Sequence, residues 1–189
     1  RGPMREPLES LRRAHVIIIT KADEALELVG ALSERLRALN PEAAIVTASH
    51  EPDRLIDSQT GEPVDLKRLD SARVGLLSSI GDPDGFEATV RRLHATVLWH
   101  EALPDHHRYQ PADYPAVLQR HAGLRPDVIV TTEKDWVRLR PVARPGMDEG
   151  RAGAAAPAYA PVWVLGIRMK LLTGEEGLKF VMDATTNVG

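Results

Sequence analysis

The sequence predicts an α/β protein: a layered domain on a mostly parallel sheet, with a small β-hairpin attached. Three observations carry this expectation. Short apolar, β-branched runs recur along the chain, as at Val16-Ile17-Ile18-Ile19 and Val128-Ile129-Val130. A strand that is apolar on both faces is covered on both faces, which is the environment of an interior parallel strand. Segments with apolar residues at three- and four-residue steps lie between these runs, and such alternation is the mark of parallel crossovers. Polar clusters also stand just after predicted strands, where α/β sheets gather their ligands.

Residues 9–13 suit a helical turn leading into a first strand over 15–20. From Asp23 to Leu39, the residues Leu26, Val29, Leu32, Leu36 and Leu39 mark an apolar face, with Glu27, Glu34, Arg35 and Arg37 between them. This is an amphipathic helix, and Asn40-Pro41 stops it because the residue before a proline is driven out of the α region. A second strand follows over 44–48. Alternating runs around Ser58-Gln59-Thr60-Gly61 predict a hairpin near 54–66.

The strand–helix–strand unit then repeats, with a strand over 73–78, a Gly81-Asp82-Pro83-Asp84 loop, a helix near 85–93 and a strand over 96–99. A helix over 114–121 leads to a strand over 128–131. Residues 141–161 are rich in Ala, Gly and Pro without periodicity, which predicts a mobile surface insertion. A strand over 162–167 and a helix over 175–184 close the chain. The expected organisation is an α/β unit over 1–139, a flexible insertion over 140–161, and the last strand and helix of the same domain over 162–189.

With 43% hydrophobic and 27% charged residues, the 189-residue chain has the balance of a globular domain. A net charge of -3 supplies no general attraction to phosphate backbones, so no nucleic-acid partner is expected. The absence of cysteine excludes disulfide frameworks and thiolate zinc sites. No apolar run approaches the roughly 20 residues needed to span a bilayer. The opening Arg1-Gly2-Pro3-Met4-Arg5-Glu6-Pro7 has neither a leading Met nor an apolar signal core, and the chain is expected to begin in mid-protein.

Three polar clusters carry candidate chemistry. In Asp105-His106-His107-Arg108-Tyr109, adjacent imidazoles beside a carboxylate suit proton transfer or metal binding, because His titrates near neutrality and Asp can fix its tautomer. The bland alternative is a capped turn with solvated histidines. Thr131-Thr132-Glu133-Lys134-Asp135 suits phosphate or nucleotide binding, or else a helix N-cap with Glu133 in the first turn. In Gly2-Pro3-Met4-Arg5-Glu6-Pro7, the planar fork of Arg5 and the oxygens of Glu6 suit a polyanion and its metal, or a plain surface salt bridge.

Together with Ser79-Ile80-Gly81-Asp82-Pro83-Asp84-Gly85-Phe86, these clusters resemble, in order, the four motifs of the tetraacyldisaccharide 4'-kinases of lipid A synthesis. Ser79 stands where that family has a Gly, and the 141–161 insertion is longer than the family's usual one. The resemblance implies a Rossmann-like half related to the P-loop kinases, and an ATP- and Mg2+-dependent phosphorylation of the 4' hydroxyl of a tetraacyl glucosamine disaccharide 1-phosphate. It implies His106 as the catalytic helper of an Asp in a separate amino-terminal lobe, with Asp105 orienting it. Arg5 and Glu6 would face the transferring phosphate, with Glu6 as ligand to magnesium and Thr132 and Lys134 on the nucleotide side. It further implies a lipid disaccharide as partner and a peripheral location at the cytoplasmic face of the bacterial inner membrane. No Gly-Lys-Ser or Gly-Lys-Thr of a Walker A loop occurs in the chain. The rival readings are a non-catalytic kinase-like binding module, and a metal-dependent hydrolase using Asp105, His106 and His107 with His100 or Glu133.

Overall fold

The computed structural model describes residues 6–143 and 160–186. They fall into two compact units, one formed by the two ends of the chain up to Glu51 and from Arg168, the other by Pro52–Ile167.

In the first unit, β1 (Val16–Ile19) pairs in parallel with β2 (Ala44–Asp57), from Val16 opposite Ala44 to Ile19 opposite Thr47. The crossover between them is α1 (Leu26–Leu39). Asn40, read from sequence as a helix stop, also ties the crossover together. Its buried Nδ2 donates to the carbonyls of Leu11 (2.9 Å) and Ala14 (2.8 Å), and its Oδ1 accepts from the amides of Glu42 and Ala43. The strand β7 (Val162–Thr173) ends in this unit, where the Thr47 and Thr173 hydroxyls meet at 2.7 Å. Gly174 then turns the chain into α5 (Glu175–Thr186) at φ +82°, pressed so closely on the backbone of Ile45 that a β-carbon would collide with it.

The second unit holds β3 (Pro63–Val64), β4 (Arg73–Ser78), β5 (Thr96–Ala102) and β6 (Val128–Thr132). The parallel strands lie in the order β7-β6-β4-β5. The far end of β2 runs antiparallel beside β7: the Ser58 amide donates to the Val162 carbonyl (2.9 Å), while Arg54 passes over Gly166. The expected hairpin is present, with Leu55 opposite Val64. Its first arm is continuous with the strand expected over 44–48, since β2 runs on through His50-Glu51-Pro52, where no side-chain pattern announces a strand.

Side-chain parity splits the core of this unit into two layers. Val74, Leu76, Val128, Val130 and Leu165 pack on one face with Phe86 and Val90 of α2 (Pro83–Arg92). On the other, Leu77, Ile129 and Val162 pack with Tyr114 and Val117 of α3 (Asp113–Arg120) and Leu139 of α4 (Glu133–Ala143). Helix α4 begins where the alternative reading of Thr132-Glu133 as a helix N-cap places a helix start, although the expected elements include no helix there. Its apolar positions are few, and Thr132-x-x-Asp135 was the signal of its start. Helix α2 begins two residues earlier than expected, because Asp82 caps it through the Gly85 amide (3.1 Å) with Pro83 in the first turn. Most of the expected insertion over 140–161 lies outside the described residues, while α4 continues to Ala143.

Candidate functional site

Strands β4, β5 and β6 run parallel, so the segments that leave them emerge at one edge of the sheet. Those segments are Ser79–Asp82, the Asp-His-His loop, and the start of α4. At their centre is the Asp135 carboxylate, which is fully buried. It accepts from the Ser79 amide (3.0 Å), the Ser79 hydroxyl (2.6 Å), the Thr132 hydroxyl (2.7 Å) and the Arg138 guanidinium (2.8 Å). Four donors offset the desolvation of one buried charge. Arg138 also donates to the Ser79 carbonyl (3.3 Å).

This knot carries the Asp-His-His loop. The Leu103 amide donates to the Ser78 carbonyl (2.8 Å) and the His106 amide to the Ser79 carbonyl (3.3 Å). Tyr109 is buried, and burial pushes its phenol pKa well up. The loop sets His106 in the left-handed region at φ 59°, its imidazole mostly in solvent. A non-glycine residue in that region is held there by its surroundings. The Asp105 carboxylate lies 3.7 Å from His106 Nε2 and 3.8 Å from Lys134 Nζ. It also lies over Gly81, where a β-carbon would stand 3.4 Å from it.

The sequence-predicted residues divide accordingly. Asp105, His106 and Lys134 come together as an exposed group at the carboxyl edge. Thr132 stands beside them, but its hydroxyl caps α4, accepting from the Asp135 amide at 3.1 Å. Arg5 lies outside the described residues. Glu6 belongs to the first unit, where it forms an exposed ion pair with Arg13 at 2.6 Å. Ser79, Asp135, Arg138 and Tyr109 complete the arrangement; Ser79, Asp135 and Tyr109 lie within the motifs read from the sequence but are not singled out there, and for Arg138 the i, i+3 spacing from Asp135 was the available signal.

The geometry does not favour the metal-hydrolase reading. His107 is turned away to Asp113 at 2.7 Å, His100 is engaged by Ser78 and Glu87, and Glu133 by Arg54. Among the described residues no cluster of three or more His, Asp or Glu side chains could hold a metal ion.

These features define an α/β protein whose polar loops converge beyond the carboxyl ends of parallel strands, the position at which this class of fold binds its ligands. The same fold occurs in the crystal structure of LpxK from Aquifex aeolicus in complex with ATP, with a TM-score of 0.53, 20% identity, and coverage of 96% of this chain and 46% of that one. The chain belongs to the tetraacyldisaccharide-1-P 4'-kinase family, whose model matches residues 1–186. Relatives named tetraacyldisaccharide 4'-kinase include one from Anaeromyxobacter sp. (strain K), 36% identical over 97% of this chain and 46% of its own length. Another, from Anaeromyxobacter dehalogenans (strain 2CP-C), is 41% identical over 75% of this chain and 37% of its own. One from Rhodospirillum rubrum is 34% identical over 78% of this chain and 40% of its own. The chain thus spans about half the length, or less, of these relatives.

Proposed function

We propose that this chain serves the ATP-dependent phosphorylation of the 4' hydroxyl of a tetraacyl disaccharide 1-phosphate, and that the Asp105–His106 pair is the part of the machinery it contributes. Family membership supports the reaction, and the exposed imidazole beside a carboxylate and an ammonium at the carboxyl edge supports the role. Phosphoryl transfer asks little covalent chemistry of a protein; it needs positioned phosphates and a group that takes the proton of the attacking hydroxyl. With Asp105 facing Nε2 of His106, Nδ1 is the nitrogen left to assist in taking that proton, and the carboxylate stabilises the imidazolium formed. Lys134 adds positive charge toward a phosphate.

A magnesium ion carried by ATP takes one or two protein carboxylates and fills its shell with phosphate oxygens and water. The exposed carboxylate of Glu6 would supply one such oxygen by exchanging its ion pair with Arg13 for the metal, and a dedicated protein cage is not needed. When bound, the ion would neutralise charge on the transferring phosphoryl group, with Arg5 beside it in sequence. A lipid disaccharide as partner and a peripheral position at the cytoplasmic face of the inner membrane follow from the same reading; no helix among the described residues is long and apolar enough to cross a membrane.

The test is phosphoryl transfer by the intact enzyme that carries this chain, with a tetraacyl disaccharide 1-phosphate and labelled ATP. Label at the 4' position, dependent on magnesium, is expected. No transfer to the lipid, with the enzyme folded and binding ATP, would leave the binding-module reading in its place.

A further inference from the structure

A second polar network ends on the same Ser78-Ser79 step and is not used by the site described above. The Ser78 hydroxyl meets His100 Nε2 at 2.8 Å, and His100 Nδ1 meets Glu87 Oε2 at 3.0 Å. Arg91 holds the other oxygen of Glu87 through Nε (2.9 Å) and the terminal nitrogen (2.7 Å). Ser78 is fully buried and the His100 side chain is 9% exposed, with the Phe86 ring edge-on to the imidazole at 5.9 Å. A buried imidazole is costly unless both nitrogens are satisfied, so its place beneath the edge of the sheet calls for a reason beyond filling space.

Resting on the kinase reading above, we propose that His100 is a positioning residue for the Asp105–His106 loop, acting through the Ser78 hydroxyl. The Glu87 carboxylate only accepts, so it places the imidazole proton on Nδ1. Nε2 then accepts from the Ser78 hydroxyl and fixes the orientation of that residue. The Ser78 and Ser79 carbonyls receive the Leu103 and His106 amides, one at each end of the segment that sets His106 in its left-handed conformation. The line from Arg91 at the surface to Ser78 therefore braces the peptide from which the loop hangs.

The experiment compares His100→Phe, which keeps a ring against Phe86 and removes both hydrogen bonds, with His100→Gln, whose side-chain amide can still reach Ser78. In the 189-residue chain, His100→Phe is expected to shift the Leu103, Ser79 and His106 amide resonances, with His100→Gln close to the wild type. In the intact enzyme, His100→Phe is expected to lower turnover about ten- to a hundredfold with KM for ATP unchanged, as for a misplaced catalytic group, and His100→Gln to recover most of it. Unmoved resonances in His100→Phe, or His100→Gln no better than His100→Phe, would overturn the proposal. If His100→Phe does not fold, the imidazole nitrogen spectrum of the wild type decides: a ring protonated at Nδ1 alone supports the brace, and one protonated at Nε2 or averaged between tautomers refutes it. Failure of the kinase reading looks different, since the wild-type enzyme would then transfer nothing while the resonances still moved.

Discussion

At the scale of single residues, neighbours in sequence have opposite duties. His106 faces solvent beside Asp105, whereas His107 is bonded to Asp113 and packed edge-on against Tyr109 at 5.3 Å. In the intact enzyme, His106→Ala should therefore lower turnover with little effect on ATP binding, by about a hundredfold, the low end for an acid–base group. His107→Ala should act mainly on stability. Steady-state kinetics beside urea unfolding of both variants checks this; a larger loss of turnover in His107→Ala would move the role to the other imidazole. Asp135 gathers four donors in a site without solvent, so Asp135→Ala strands Ser79 and Arg138 and should cost about 3 kcal/mol or more in urea unfolding. A cost below about 1 kcal/mol would mean that the loops do not depend on this knot.

At the scale of elements, carboxylates tie the helices of the second unit to their strands and loops. Arg91, assisted by His100, holds Glu87 of α2 below the ordinary carboxylate range. At Glu101 of β5, burial pushes upward but is outweighed by His121 and Arg120 at the end of α3, and the net shift is down. The Gln110 amide, then His107, lowers Asp113 at the start of α3. Depressed folded pKa values mean that stability is fully present above the unfolded values of 4.5 and 3.8 and drains away as pH falls through the folded ones. The urea midpoint should accordingly fall on acidification below about pH 4.5, and Asp113→Asn should make that limb shallower; an unchanged limb would assign the acid sensitivity elsewhere.

Packing between strands makes a separate demand. The Trp99 indole lies over Gly75, and the β4–β5 register slips between Val74 and Gly75 to admit it. A β-carbon there would collide with the ring, so Gly75→Ala should destabilise by about 1–3 kcal/mol. Gly123, with open space around it, is the comparison, and equal costs at both positions in thermal melts would remove the steric explanation.

At the scale of the whole molecule, the chain carries the exposed Asp105–His106 pair but no Walker A sequence, and it spans about half the length of its relatives. Phosphoryl transfer draws most of its rate from a preorganised cradle for the triphosphate. The isolated 189-residue chain is therefore expected to show no magnesium-dependent ATP turnover at an enzymatic rate. Turnover that follows the chain through purification, and is lost in His106→Ala, would overturn this.

The sequence by itself determined the fold class, the strands through 128–131, the hairpin and the grouping of Asp105 and His106, because β-branched runs, helical periodicity and turn residues act over a few neighbours. Tertiary structure alone decided the rest. The length of α4 and the passage of β2 through Pro52 depend on partners far away in the chain. So does the choice between the two readings of Thr132, ligand or helix cap. Ser79 and Asp135 are 56 positions apart and meet only because β4 and β6 lie side by side. A buried carboxylate is stable only where several donors converge on it, and that convergence is a property of packed strands rather than of any local pattern.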